Sequence, residues 1–156
     1  MTRPADIKDL NGINVLHAQL HIQHIAYRPD IFAPIEQPLF DELMAAYIND
    51  DRKDIIVYDK DGEILGYAAV SVCDTEKGRG EILPFVFVEV NELCVAENAH
   101  RQGIGTALLD AVKEYAKGKN AKFIELGVQA ENTGAQAFYK ANGMFVKNHK
   151  MQYKLQ

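Results

Sequence analysis

The chain has 156 residues, 47% hydrophobic and 25% charged, the proportions of one ordinary globular domain, which excludes a disordered or fibrous protein. No apolar run approaches the roughly 18 residues that span a bilayer, and the opening "MTRPADIKDL" lacks the apolar centre of a signal peptide, so a cytoplasmic protein without a membrane partner is expected. Seventeen basic residues against 22 acidic ones give a net charge of −5, which argues against nucleic acid as a partner.

In chain order, "RPADIKDL" opens with a short strand pattern, and Asp9 is placed to cap a helix running to about Tyr27. Ile13, Leu16, Leu20 and Tyr27 form its apolar stripe. "RPDIFAPIEQP" breaks the pattern with three prolines, and Pro38 suits the first position of a second helix with Phe40, Leu43, Met44 and Tyr47 inward. "DIIVYDKDGEILGYAAVSV" reads as two strands joined by the turn "DKDG", and "ILPFVFVEVNELCV" as a third, making an antiparallel meander.

A helix follows from Gly103, with Ile104, Leu108, Ala111, Val112 and Tyr115 on one face. "AKFIELGV" is the next strand, joined to "ELCV" by a crossover helix long enough for a parallel pair. "NTGAQAFYKANG" is a short helix stopped at Gly143, and "MFVKNHKMQYKL" reads as a final pair of short strands. Cys73 and Cys94 form no CxxC pair and are expected to be small buried hydrophobes.

The glycines at 103 and 105 stand where a helix starts. A helix N-terminus leaves backbone N–H groups unpartnered and carries a partial positive charge, so bare glycines there let an anion approach the amides of residues 101 to 106. A dinucleotide fingerprint would need glycine where Leu108 stands, and no G-K-[ST] of a P-loop follows.

"LCVAENAHRQGIGTALL" resembles the acetyl-CoA signature of the GNAT superfamily of N-acetyltransferases, [QR]-x-x-G-x-[GA] after a strand L-x-V. Here it reads His100-Arg101-Gln102-Gly103-Ile104-Gly105 after Leu93-Cys94-Val95, with histidine at the first motif position and arginine one place later. "ENTGAQAFYKANGMF" resembles the family's later motif N-x-x-A-x-x-F-Y-x-x-x-G-F, with Asn132, Ala135, Phe138, Tyr139 and Gly143 in register. The resemblance implies an α/β (α+β) fold over residues 1–156, with a central mixed, mostly antiparallel sheet of six to seven strands flanked by about four helices. It also implies acetyl-CoA as co-substrate, held by Leu93, Cys94, Val95, Arg101, Gln102, Gly103, Ile104, Gly105, Thr106, Asn132 and Phe138.

Acetyl transfer to a primary amine requires a base for the amine, a donor for the oxyanion and a proton for the departing thiolate. Glu89 and Glu92 are the candidate bases; three apart on an extended strand, they are expected on opposite faces with only one toward the cofactor cleft, and the resemblance favours Glu89, which matches the position of the catalytic glutamate in some members. The resemblance implies the backbone N–H of Cys94 or Val95 as oxyanion donor and Tyr139 as the acid. His17, His21 and His24 fall on one side of the first helix without a carboxylate or cysteine in the pattern, so no metal site is expected; the resemblance implies that this helix and the loop after it wall the acceptor pocket, with the histidines, Tyr27 and "RPDIF" shaping it. The expected acceptor is a small-molecule or polypeptide amine, and a homodimer is in keeping with the family. The alternative is a non-catalytic acyl-CoA-binding sensor.

Overall fold

Strand alternation sorts the apolar residues of the computed structural model onto two sides of one sheet. The structure describes residues 1–34, 38–75 and 80–156. The strands are β1 (Thr2–Pro4), β2 (Lys53–Lys60), β3 (Glu63–Asp74), β4 (Val86–Val95) and β5 (Phe123–Leu126), lying in that order. β1 to β4 pair antiparallel and β5 joins β4 in parallel. The helices are α1 (Leu10–Tyr27), α2 (Pro38–Ile48), α3 (Ile104–Gly118) and α4 (Thr133–Ala141).

Ile55, Val57, Tyr67 and Ala69 face one side, where Ile13 and Leu16 of α1 and Met44 of α2 cover them. Ile56, Ala68, Val70, Val88 and Val90 face the other, against Ile104, Leu108, Val112 and Ala116 of α3. α3 is the crossover between the parallel strands β4 and β5, as the length of its apolar stripe predicts.

Three expectations change. Leu43 is half exposed while Met44 is buried, so α2 turns Met44 inward in place of Leu43; the side chain of Phe40, assigned to the same stripe, lies outside the described residues. Asp9 precedes α1 but does not cap it through its side chain. Its carboxylate instead takes two hydrogen bonds from Arg3, at 2.6 and 2.9 Å, and one from the Asp6 amide at 2.8 Å.

The third change is the strand count, five among the described residues in place of six to seven. The segment 144–156 carries the strand pattern but lies in no strand. Among the described residues its last backbone hydrogen bond is Met144 N–H to the Tyr139 carbonyl, and beyond that side chains tether it: Lys147 to Glu125 at 2.7 Å and Arg28 to Gln152 at 2.9 Å. Among the described residues no helix is long and apolar enough to cross a membrane.

Candidate active site

A bulge in β4 decides which carboxylates share a face. The β3–β4 register passes from Val70↔Val90 to Ala69↔Glu92, so Asn91 is the extra residue. Val90 and Leu93, three apart, consequently both pack on the α3 side. Glu89, Asn91 and Glu92 are thrown together onto the α1/α2 side, which corrects the expectation that Glu89 and Glu92 point to opposite faces.

The two glutamates nevertheless differ. Glu89 is exposed and stands in register with Glu125 inside the β4–β5 ladder. Glu92 is largely buried, and its Oε2 accepts hydrogen bonds from the Tyr67 hydroxyl at 2.5 Å and from His17 Nδ1 at 2.8 Å. Burial alone raises the Glu92 carboxyl, but the bonds from His17 and Tyr67, with His17 and His24 nearby, together hold it below the ordinary carboxylate range. Burial beside that carboxylate, which its own hydroxyl bonds, pushes the Tyr67 phenol far up. Both donors sit on Oε2, and Oε1 carries no hydrogen bond among the described residues. The sequence placed His17 only on the wall of the acceptor pocket; its bond to Glu92, and Tyr67 altogether, escape a sequence reading because the two lie 75 and 25 residues from Glu92.

Beyond the bulge the sheet opens. The β4–β5 ladder ends at Val90↔Leu126, while β4 continues to Val95. The Ala96 N–H bonds the Leu65 carbonyl at 2.9 Å. The two-residue alternation of an antiparallel ladder then turns the Cys94 amide toward β3 and the Leu93 and Val95 amides toward the open side. The Val95 carbonyl accepts from Gln19 Nε2 and from His100 Nε2, each at 3.0 Å, and Gln19 Oε1 accepts from the Glu97 amide at 3.2 Å. His100, anomalous in the motif, thus ties the turn back to the end of β4. Gln19 pins the same point from α1, and no sequence signal marks it. The buried Cys94 thiol contacts the Leu16 carbonyl at 3.4 Å, and burial pushes it up to about 12, beyond reactivity at neutral pH.

The turn itself runs in the left-handed region. Arg101 has φ 62° and Gly103, which precedes α3, φ 78°. A side chain at 103 would meet open space, so the backbone angle, not crowding, calls for glycine there. Gly105 is needed for the opposite reason: a Cβ would come 3.2 Å from Phe138 Cζ and 3.8 Å from Val95 Cγ2. Among the described residues the amides of 101 to 106 make no hydrogen bond. The Ile104 side chain belongs to the core, whereas Arg101, Gln102 and Thr106 are exposed.

Phe138 also carries α4 to the site. The Asn132 side-chain Oδ1 caps α4 by accepting from the Ala135 amide at 3.0 Å. The ring of Tyr139 packs edge-on to Phe138, 5.2 Å between centroids. Burial, with Cys94 adding to it, pushes the Tyr139 phenol up to about 12. On the α1 side, His24 stacks on Phe32 at 5.0 Å and His21 Nε2 donates to the Ala33 carbonyl at 2.7 Å, which folds the loop after α1 back over the helix. Burial lowers the His24 pKa.

The site thus joins an opened parallel strand pair, unpartnered amides at a helix start, a neutral phenol and a fixed carboxylate. The model of the acetyltransferase (GNAT) family matches residues 20–144. An uncharacterised N-acetyltransferase from Methanocaldococcus jannaschii is 34% identical over 60% of this chain and 39% of its own length. One from Archaeoglobus fulgidus is 33% identical over 60% of this chain and 61% of its own length. This chain therefore covers less than two thirds of either relative. A crystal structure of a mutant BH1408 protein from Bacillus halodurans superposes with a TM-score of 0.94 at 28% identity, covering 100% of this chain and 99% of that one. AAC(6')-Iy, in complex with a bisubstrate analogue of CoA and acetylneamine, shares the fold with a TM-score of 0.78 at 16% identity, over 100% of this chain and 97% of its own. With its family model matched across most of its length, the chain belongs to the GNAT family of acetyltransferases.

Proposed function

We propose that residues 1–156 act as one N-acetyltransferase domain that moves an acetyl group from acetyl-CoA to a primary amine of a small molecule or polypeptide. The observation that carries this reading is the run of unpartnered amides at 101 to 106 beside the open edge of β4. Such amides at a helix start suit a pyrophosphate, and an open strand edge suits the amide-bearing pantetheine arm, so the residues present fit coenzyme A. A GNAT-fold neighbour bound to a CoA-based bisubstrate analogue supports the same group.

In this assignment residues 101 to 106 hold the pyrophosphate, while Leu93 and Val95 hold the pantetheine arm through their amides. Cys94 contributes through its position in the strand, Phe138 as a wall beside Gly105, and Asn132 as the cap that sets α4. Acetyl-CoA supplies the activated acetyl thioester. The Val95 amide, fixed by the two side chains on its carbonyl, is the donor aimed at the oxygen that gains negative charge.

Glu92 is the base in preference to Glu89. It lies past the last β4–β5 pair, in the opened stretch, with Oε2 clamped and Oε1 left to a substrate ammonium. Held ionised, it draws the cation in and receives its proton directly or through water. Glu89 lies inside the closed ladder facing Glu125. Tyr139 keeps its proton on Oη through the neutral range and is the donor to the leaving sulfur.

Residue-resolved amide shifts on titration with acetyl-CoA test the binding half. Shifts concentrated at residues 93, 95 and 101 to 106 are expected. Shifts confined to another face, or none at millimolar ligand, contradict it.

A further inference from the structure

β4 loses its outer neighbour at the stretch assigned to the chemistry. β5 stays with it as far as Val90↔Leu126, and from Leu93 to Val95 no strand lies on that side among the described residues. In an antiparallel ladder the N–H and C=O of one residue point the same way, so the Val95 carbonyl shares the open side with the Val95 amide. The side chain of Gln19 meets the strand there. Its Nε2 donates to the Val95 carbonyl at 3.0 Å and to the Cys94 thiol at 3.5 Å, and its Oε1 accepts from the Glu97 amide at 3.2 Å. A glutamine side chain ends in the same amide group as a peptide unit, so it offers a strand both a donor and an acceptor. Only one way round fits, because the Val95 carbonyl needs a nitrogen opposite and the Glu97 amide an oxygen.

We infer that Gln19 is a positioning residue for acetyl transfer, its side-chain amide standing in for the missing strand and holding the Val95 N–H on the oxyanion. The assignment rests on the transferase reading above. Val95 has a second tie, from His100 Nε2 at 3.0 Å, but His100 is exposed and belongs to the turn assigned to the pyrophosphate. Gln19 comes instead from α1, which the buried Ile13 and Leu16 seat on the sheet and whose Leu16 carbonyl accepts from the Cys94 thiol at 3.4 Å. The same helix holds the base: His17, two residues before Gln19, bonds Glu92 Oε2 at 2.8 Å. His17 and Gln19 flank the stripe of Ile13, Leu16 and Leu20 on opposite sides. One helix therefore fixes base and oxyanion donor relative to each other. A misplacement of about 1 Å in such an arrangement costs on the order of a hundredfold in rate; a donor still carried by the strand but released from Gln19 should lose part of that, about tenfold.

The test compares the full chain with Gln19→Met, which keeps the length and loses every hydrogen bond, and Gln19→Glu, which keeps the shape. Acetyl-CoA is offered with a panel of alkyl diamines, amino sugars and lysine-containing peptides, and the amine that the wild type turns over fastest is used throughout. Gln19→Met is expected to lower kcat about tenfold and to leave acetyl-CoA affinity within about threefold by calorimetry. Gln19→Glu should fall further at about pH 7.5, where its carboxylate repels the Val95 carbonyl, and recover relative to the wild type toward about pH 5, where a carboxylic acid donates again. Gln19→Met has no proton to regain and should stay down. Unchanged kcat at neutral pH, a loss of affinity in step with kcat, or no recovery of Gln19→Glu in acid overturns the assignment and leaves the activity standing. A wild type that acetylates no amine of the panel overturns the activity, and the assignment with it. Should both variants misfold, exchange of the Gln19 Nε2 protons in the wild type decides: protection beyond that of exposed glutamines supports the assignment, and exchange as fast as theirs overturns it.

Discussion

At the scale of single residues, Glu92 carries the sharpest consequence. Glu92→Gln is expected to lower turnover at least about tenfold at neutral pH, with Glu89→Gln falling well short of that. Steady-state kinetics of the two variants check the order, and its reversal returns the role to Glu89. Tyr139→Phe removes only a hydroxyl that holds its proton to about pH 12. Turnover should fall about tenfold while acetyl-CoA affinity stays constant; unchanged turnover removes Tyr139 from the mechanism. Both glutamates and Tyr139 were legible as candidates. The faces of the glutamates were not, because "VEVNEL" contains no residue that announces a bulge; the extra residue is set by the cross-strand register with β3. Gln19, Tyr67 and the bond of His17 to Glu92 were invisible for the same reason, being defined by contacts across the fold.

At the scale of elements, α3 and its turn answer to two glycines with different physics. Gly103→Ala places a Cβ in the left-handed region and should cost about 1–2 kcal/mol of stability, with weakened acetyl-CoA binding because the amides at 101 to 106 are reset. Gly105→Ala keeps an ordinary helical backbone but presses on Phe138, so it should shift α4 and Tyr139 and depress turnover more than affinity. Thermal unfolding together with calorimetric titration separates the two; equal effects on affinity from both would refute the distinction. The strand, crossover and helix order was readable here because the period of the apolar residues changes sharply at Gly103.

At the scale of the whole molecule, acid should act in two windows. Burial holds the folded His24 below its ordinary value near 6.5, so the unfolded chain takes up that proton first and stability falls as pH drops below about 6.5. Glu92, lower in the folded state than the ordinary 4.5, contributes stability above about pH 4.5 that is lost as pH falls through its folded value. Urea midpoints between pH 7.5 and 5.5 should fall less in His24→Gln than in the wild type; identical slopes would show that burial of His24 does not govern that window. The meander, α3 and the parallel β5 follow local periodicity and were read correctly. The segment after α4 was read as two strands from equally good periodicity, but a strand needs a partner, and periodicity within one chain does not say where the partner is.

Transfer of acetyl groups from acetyl-CoA in this cleft is measured most directly by thiol release. The purified chain is mixed with acetyl-CoA and a broad panel of primary amines, with Glu92→Gln alongside. Amine-dependent release of free thiol that collapses in the variant is the expected result. Tight acetyl-CoA binding with no release on any amine would contradict catalysis and make the chain an acyl-CoA-binding sensor.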